Sequence, residues 1–480
     1  MLAPRRIILI SVVIAFFVLN AYYFWPKSPG IVPPSNTLVN QQSQLWHHLH
    51  PLLKQYAPDC PPPTLRGGVG LPRFDAIHEH TRDNHVTNVD DILLPMQIAH
   101  DGFVETTHSL AMDRAYSPQT MGIVTSAGGT YLPTFVVTLL LLRQTGCKLP
   151  VEVFMKDSTE YEPHICETVL PPLGVKCVVL SDILEGEVEI EGFQIKSFAM
   201  LFFSFETFLW LDADCVPLHD STILFHSEPF LSTGLVTWPD FWANTASPAY
   251  FNISRQPEPS STTRQATEAG MLLVSKETHF LALILAAYYN YYGPDYYYPL
   301  LGQGAPGAGD KDTFLHAATA LNASFYAVSE TVVDLGNVTP WNSNVAINAG
   351  YVQTDPIQDY NLTSQGKWRV RDPSVSPPPR VFFIHAGDPE FNPGKELMGS
   401  KLRGFDGNPT RLWTHPPEAT KRLGYDAEKS FWDVTMSVAC NAEFGFQTWK
   451  SRDGLCEEVR THWRAVFENP EAKVPEFTDG

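Results

Sequence analysis

The chain has 480 residues, 44% of them hydrophobic and 12% aromatic, which is material for a large packed core rather than a disordered chain. Its 33 Lys+Arg face 52 Asp+Glu, a net charge of −19 with no long basic run. That balance argues against a nucleic-acid binder, whose affinity rests on cations set against phosphates. Only 18% of residues are charged and 40 are proline, a composition foreign to coiled coils and simple helical bundles.

The N-terminal tail, residues 1–6, carries Arg5 and Arg6 and precedes an uncharged apolar run, Ile7 to Trp25. As a helix, that run crosses a hydrocarbon core of ~30 Å. Tyr22, Tyr23 and Trp25 stand where an aromatic belt belongs, and the run ends in YYFWPK rather than a small-residue cleavage site. The pattern predicts an uncleaved transmembrane signal-anchor over 7–25. Arg5 and Arg6 face only Lys27 across it, so the tail is expected in the cytoplasm and the bulk in the lumen, a single-pass type II arrangement. Sequons at Asn252, Asn322, Asn337 and Asn361 agree with a secretory lumen. Pro340 makes the third a poor acceptor, which leaves Asn252, Asn322 and Asn361 as expected glycosylation sites. All seven cysteines, at 60, 147, 166, 177, 215, 440 and 456, follow the anchor. Cys166/Cys177 and Cys440/Cys456 are each spaced to close a short loop, though sequence alone does not fix pairing. The odd count leaves at least one thiol free or paired between chains, and without a C-x-x-C pair a zinc knuckle is out.

Residues 26–95, with PKSPGIVPPSN and APDCPPPTLRGGVG, read as an extended proline-rich stem. From Met121 strand and helix alternate. GIVTSAG, VEVFMKD, KCVVLSD and ETFLWLDAD read as strands; LPTFVVTLLLLRQTG and GFQIKSFAMLFFSF read as helices, with HICETVLPPLG a short helix or turn. The alternation predicts an α/β fold, a mostly parallel sheet with helices on both faces. Ligands then bind beyond the carboxyl ends of the strands, where TSAGG, MKD and DAD gather.

The strongest chemical signal is Leu209-Trp-Leu-Asp212-Ala-Asp214. An apolar strand ends in two carboxylates that alternation turns to one side. Their repulsion calls for a hard divalent ion, Mg²⁺ or Mn²⁺, which would clamp a diphosphate. A Gly-rich loop, Gly302 to Phe314, carries Asp310 and Asp312 ahead of a helix, where they would otherwise serve as caps; it lacks the GK[ST] of a P-loop. Trp238-Pro-Asp240-Phe-Trp242 sets an acid among flat faces that suit sugar rings, and Glu268 precedes Gly270 and the strand MLLVS. The seven tyrosines of 288–298 read as packing beneath the Gly-rich loop. Val381-Phe-Phe-Ile-His385 is an apolar strand ending in a histidine fit to ligate a metal.

The order LWLDADCVPL, TWPDFW, EAGMLLVSKETH, YYNYYGPDYYYPLLGQGAPGAGDKDTF and FFIHAGDPEFNPG resembles the fungal Golgi α-mannosyltransferases of glycosyltransferase family 71, in particular the mannan-branching α-1,2 type. The resemblance covers about residues 115–410 of an expected lumenal catalytic domain, 96–480. It implies a GT-A-like nucleotide-sugar fold, a GDP-mannose donor, Mn²⁺ or Mg²⁺, an α-mannoside glycan acceptor, and a retaining reaction if the product is α-linked. It also implies a Golgi membrane location, with a place in a glycosyltransferase complex open. Carried over by residue, Asp212 and Asp214 match the DxD motif, with Asp214 in direct metal contact, and His385 matches a C-terminal metal ligand. Lys196 points to the nucleotide; Thr125, Ser126 and Gly128 line its pocket; Asp240 belongs with the nucleotide sugar. Asp310 and Asp312 face acceptor or transferred sugar, and Glu268 and Asp310 are the carboxylates available for a covalent intermediate. One departure is Ala269, where the family pattern has serine. Rival readings are a non-catalytic sugar-binding or scaffold subunit, a glycosidase, and a transferase of the same fold using another sugar nucleotide.

Overall fold

The computed structural model describes residues 36–469 except 71, 111, 113, 187–189, 306, 340–341, 388–389, 397–401 and 405–406. The expected tail and the signal-anchor at 7–25 lie outside the described residues. Among the described residues no helix is long and apolar enough to cross a membrane.

Two helices come first, α1 (Asn36–Gln55) and α2 (Val89–Ser109). Then follow β1 (Ser117–Ser126), α3 (Tyr131–Gln144), β2 (Val151–Met155), β3 (Val175–Val179), α4 (Gln194–Phe202) and β4 (Phe205–Leu211). These are the strands and helices that periodicity predicts from Met121 onward. Gly146, at φ 92, closes the turn after α3 in a conformation that only glycine adopts freely. Next come β5 (Cys215–Pro217), β6 (Leu235–Ala243), β7 (Gln265–Ser275), α5 (Lys276–Tyr291), α6 (Thr313–Ala320) and β8 (Tyr326–Ala327). The chain continues through β9 (Val333–Thr339), β10 (Asn342–Thr354) and β11 (Val381–His385) to α7 (Ala427–Cys440) and α8 (Leu455–Phe467).

The main sheet has seven strands in the order β3-β2-β1-β4-β7-β6-β8. β1 to β4 are mutually parallel, β7 is antiparallel to both β4 and β6, and β8 is parallel to β6. Along β4 the side chains alternate as the pleat requires: Leu209 and Leu211 enter one core, Phe208 and Trp210 the other. The first core is shared with α3, α7, α8 and a second sheet, ordered β5-β11-β10-β9 and antiparallel throughout. The second core is shared with α1, α4 and α5.

The stem expected over 26–95 is corrected from residue 36 onward. α1 places Leu45, Trp46, Leu49 and Leu53 at helical spacing, all at most 1% exposed, against Phe198 and Phe202 of α4. Trp46 Nε1 donates to Glu185 O at 2.9 Å, and the Gln42 amide reaches Phe202 O. Proline-rich composition masked this amphipathic helix. The body likewise runs past residue 410, because Phe431, Trp432 and Trp413 join the first core. The disulfides pair Cys166 with Cys177 and Cys440 with Cys456, leaving Cys60, Cys147 and Cys215 as thiols.

Candidate active site

Strand pairing assembles the site. After β4 the chain turns, Cys215 N donating to Asp212 O at 3.0 Å, and enters β5. β5 pairs antiparallel with β11 so that Cys215 faces His385, and β11 pairs with β10 so that His385 faces Tyr351. Ala386 N donates to Asp214 O at 3.0 Å, locking the end of β11 to the turn. Residues 171 positions apart in sequence thus meet, with His385 Nε2 3.0 Å from Asp214 Oδ1.

Ligand-capable atoms of Asp212, Asp214 and His385 lie within 4.8 Å of one another. Two carboxylates and an imidazole suit a divalent ion such as Mn²⁺ or Mg²⁺. The surrounding charges agree, since Asp212, Asp214, Glu268 and Asp310 crowd around one lysine and one histidine. Lys196 Nζ sits 3.0 Å from Asp212 Oδ1 and 3.3 Å from Asp310 Oδ2, and donates to Ala269 O at 2.8 Å. Trp210 Nε1 adds a 2.8 Å bond to Asp212 Oδ1. Lys196 is therefore a buried counter-ion to these carboxylates, at the cleft wall.

The fields follow from this crowding. Burial works against the Lys196 ammonium, but Asp212 and Asp310 outweigh it and hold its pKa above the lysine range. Burial pushes the Asp310 carboxyl up to about 6, against the pull of Lys196. Burial would also lower His385, yet Asp214 and Glu268 keep it well above the usual imidazole value. For Glu268 burial is overcome by hydrogen bonds and charge from His385, with Lys196 and Tyr351 adding, and the pKa falls to about 2.

A cleft of about 560 Å³ opens beside these groups. Ser126 and Gly128 line it with Lys196, Asp212, Asp214 and His385, and so does Lys156 of the MKD strand end, as expected; Glu160, Glu191 and Phe193, which sequence reading passed over, line it too. A Cβ on Gly128 would stand 2.1 Å from the Glu160 carboxylate, so a larger residue there would have to displace that side chain. Thr125, at 1% exposure, is not among the lining residues. Asp240 forms an ion pair with Lys311. Asp312 is buried, its Oδ1 accepting from Thr267 N at 2.9 Å and Thr267 Oγ1 at 3.0 Å, so it fastens the Gly-rich loop to β7. Ala269 is buried with its side chain in the second core, so a serine there would not face a sugar. Tyr288, Tyr289 and Tyr297 pack as expected. Asn252, Asn322 and Asn361 are exposed, whereas the Asn337 amide is turned inward to Arg411 O at 2.8 Å.

The residue that sequence reading missed most plainly is Tyr351. Its hydroxyl lies 2.6 Å from His385 Nδ1 and donates to Glu268 Oε2 at 2.9 Å. A lone tyrosine in AGYVQT carries no motif, and only the β10–β11 register reveals it.

An α/β sheet with a cleft at its strand ends, where an Asp-x-Asp and a histidine converge, is an arrangement that could hold a divalent ion beside a bound diphosphate. Residues 120–266 and 260–359 match the model of the mannosyltransferase family Mannosyl_trans3, half of the chain, and the chain belongs to that family. The family resemblance read from the sequence is borne out. Relatives include alpha-1,2-mannosyltransferase MNN21 of Candida albicans, 32% identical over 78% of this chain and 65% of its own length. Alpha-1,2-mannosyltransferase MNN24 of the same species is 35% identical over 64% and 52%, and alpha-1,2-mannosyltransferase MNN2 of Saccharomyces cerevisiae is 29% identical over 86% and 79%. The chain thus spans between half and two thirds of the first two relatives. Among solved structures, the glycosyltransferase GlyE of Streptococcus pneumoniae aligns over 56% of this chain and 55% of its own at 14% identity, with a TM-score of 0.31, too slight a likeness to bear on function.

Proposed function

We propose that this chain is a retaining α-mannosyltransferase of GT-A-like architecture. In this reading it moves mannose from GDP-mannose to an α-mannoside of cell-wall mannan or protein glycans, in α-1,2 linkage, with Mn²⁺ or Mg²⁺ held by Asp212, Asp214 and His385. The observation that carries the reading is the convergence of those three residues on one wall of the cleft that Ser126 and Gly128 also line. The sugar and the linkage rest on family membership and on the names of the relatives.

The ion, when bound, supplies positive charge to the diphosphate as it leaves. Lys196 holds Asp212 in place and keeps the buried Asp310 from standing uncompensated. Retention brings the acceptor hydroxyl to the face from which the diphosphate departs. The Asp240–Lys311 pair and the loop fastened by Asp312 are proposed to border the sugar. The proposed setting is the Golgi membrane, through a single anchor at 7–25 with the body in the lumen, alone or within a glycosyltransferase complex. The two disulfides support an oxidising compartment.

The test uses the full chain, purified in detergent and stripped of metal, offered a panel of sugar nucleotides with and without Mn²⁺. Mn²⁺-dependent release of diphosphate from GDP-mannose, raised by an α-mannoside, is the expected result. Release from another donor would overturn the sugar. Silence with every donor, from folded protein, would favour the scaffold reading.

A further inference from the structure

Glu268 reads in the sequence as a carboxylate free to attack a sugar, but in the structure neither of its oxygens is free. Oε1 accepts from Gly270 N at 2.7 Å and Oε2 accepts from the Tyr351 hydroxyl at 2.9 Å. A tyrosine hydroxyl has one proton, and a carboxylate can only accept. The proton between Tyr351 and Glu268 therefore belongs to Tyr351. Its oxygen is left to accept, and the 2.6 Å contact with His385 must be donated by Nδ1. That ties Nδ1 and its proton to Tyr351 and turns Nε2 toward Asp214 Oδ1 at 3.0 Å, where a proton bridges the two when no ion is bound and a divalent ion would take that proton's place. A histidine ligates a metal in this state, its other nitrogen tied to a second group.

The ring is also boxed in. A Cβ on Gly270 would stand 2.4 Å from His385 Cε1 and 2.5 Å from Nδ1, and one on Gly350 would stand 2.8 Å from His385 O. Gly350 has φ 138, which a side chain would strain. Gly270, Tyr351 and Glu268 thus crowd the His385 ring, and Gly350 crowds the backbone that carries it.

We propose that Tyr351 and Glu268 are positioning residues, a hydrogen-bonded relay that holds His385 as a metal ligand and sets the affinity of the site for its divalent ion. This rests on the metal reading of the Asp212–Asp214–His385 cluster. It reassigns Glu268 from candidate nucleophile to support, and it brings Tyr351, which has no motif, into the working of the site.

The test titrates Mn²⁺ into the metal-stripped full chain and follows loss of the free-ion signal by electron paramagnetic resonance. Wild type, Tyr351→Phe and Glu268→Gln are compared, with a thermal melt on each. Tyr351→Phe is expected to bind Mn²⁺ roughly 10- to 100-fold more weakly, with the Mn²⁺ requirement for turnover raised in step and kcat at saturating Mn²⁺ changed far less. Glu268→Gln keeps an oxygen that accepts from Tyr351, so its loss of affinity should be smaller and its turnover should recover at high Mn²⁺. Wild-type Mn²⁺ affinity in Tyr351→Phe would overturn the relay. A Glu268→Gln protein that binds Mn²⁺ normally yet is inert at saturation would overturn it too, by making Glu268 the reacting carboxylate. If wild type itself shows no saturable Mn²⁺ binding, the metal reading falls, and the relay with it.

Discussion

Asp212 and Asp214 are neighbours in sequence with different surroundings. Asp212 is bound by Lys196 and Trp210, while Asp214 has His385 and its own backbone turn. Asp214 is therefore the carboxylate whose loss should fall on function with least effect on the fold. Asp214→Asn keeps an oxygen for His385 and is expected to lower turnover by ~10³-fold or more, with a melting temperature close to wild type; near-normal turnover would refute the metal assignment. Asp310 makes a second residue-scale prediction. A carboxyl raised to about 6 by burial binds its proton more tightly folded than unfolded, so its ionisation costs stability as pH rises. In metal-free protein, the unfolding free energy of wild type relative to Asp310→Asn should fall by about 3 kcal/mol between pH ~4 and ~6 and be flat above. A difference that rises over that window would mean the Lys196 pair outweighs desolvation. At this scale the DxD pair and His385 were legible, because an apolar strand that ends in a polar side chain announces a site. Asp312 and Thr125 were not, since a buried carboxylate that fastens a loop and a buried hydroxyl on a strand look the same in sequence as residues that meet a ligand.

The elements from β1 to β4 follow from periodicity and their punctuation, and the register of β1 with β2 and β4 carries Ser126, Phe154 and Trp210 to one end of the sheet. The antiparallel β7 in the middle of the sheet did not follow. Long-range pairing leaves no mark in the period of a strand, and the second sheet that delivers His385 and Tyr351 is built entirely of such pairing. The Cys166–Cys177 bond makes the element-scale prediction. It ties the helical turn at 165–169 to β3 across 11 residues of sequence. The Cys166→Ser/Cys177→Ser protein should lose about 3 kcal/mol in denaturant unfolding relative to wild type. Equal stability would mean the bond does not form in solution.

At the scale of the molecule, the sequence hid the boundary. Proline marks at 26–35 and 58–63 suggested one continuous stem, yet α1 between them is a core element. Tyr292 donates to Leu53 O at 2.6 Å and Tyr288 to Tyr56 O at 2.8 Å, so α1 and the turn after it are stitched to the tyrosine-rich α5 and the residue that caps its end. A fragment beginning at residue 96 would open the second core at Phe198 and Phe202, and cut α2 as well. It is expected to be insoluble or to melt at least 10 °C below a chain beginning at residue 36, as a thermal scan would show; equal melting temperatures would mean α1 contributes nothing to the core.

The early start of α1 also bounds how far the body could stand from a membrane on the proposed anchor. If the proposed anchor ends at Trp25, only ten residues of sequence, 26–35, lie between it and Asn36, where α1 begins. At full stretch ten residues reach about 35 Å at most, less than the roughly 55 Å breadth of a body this size. The enzyme would then be a short-tethered skimmer of the lumenal surface rather than a head swinging on a long stalk. Under the proposed function and anchor, acceptor glycans within a molecule's width of the membrane would be the ones in reach, and the search for them would run mostly in two dimensions.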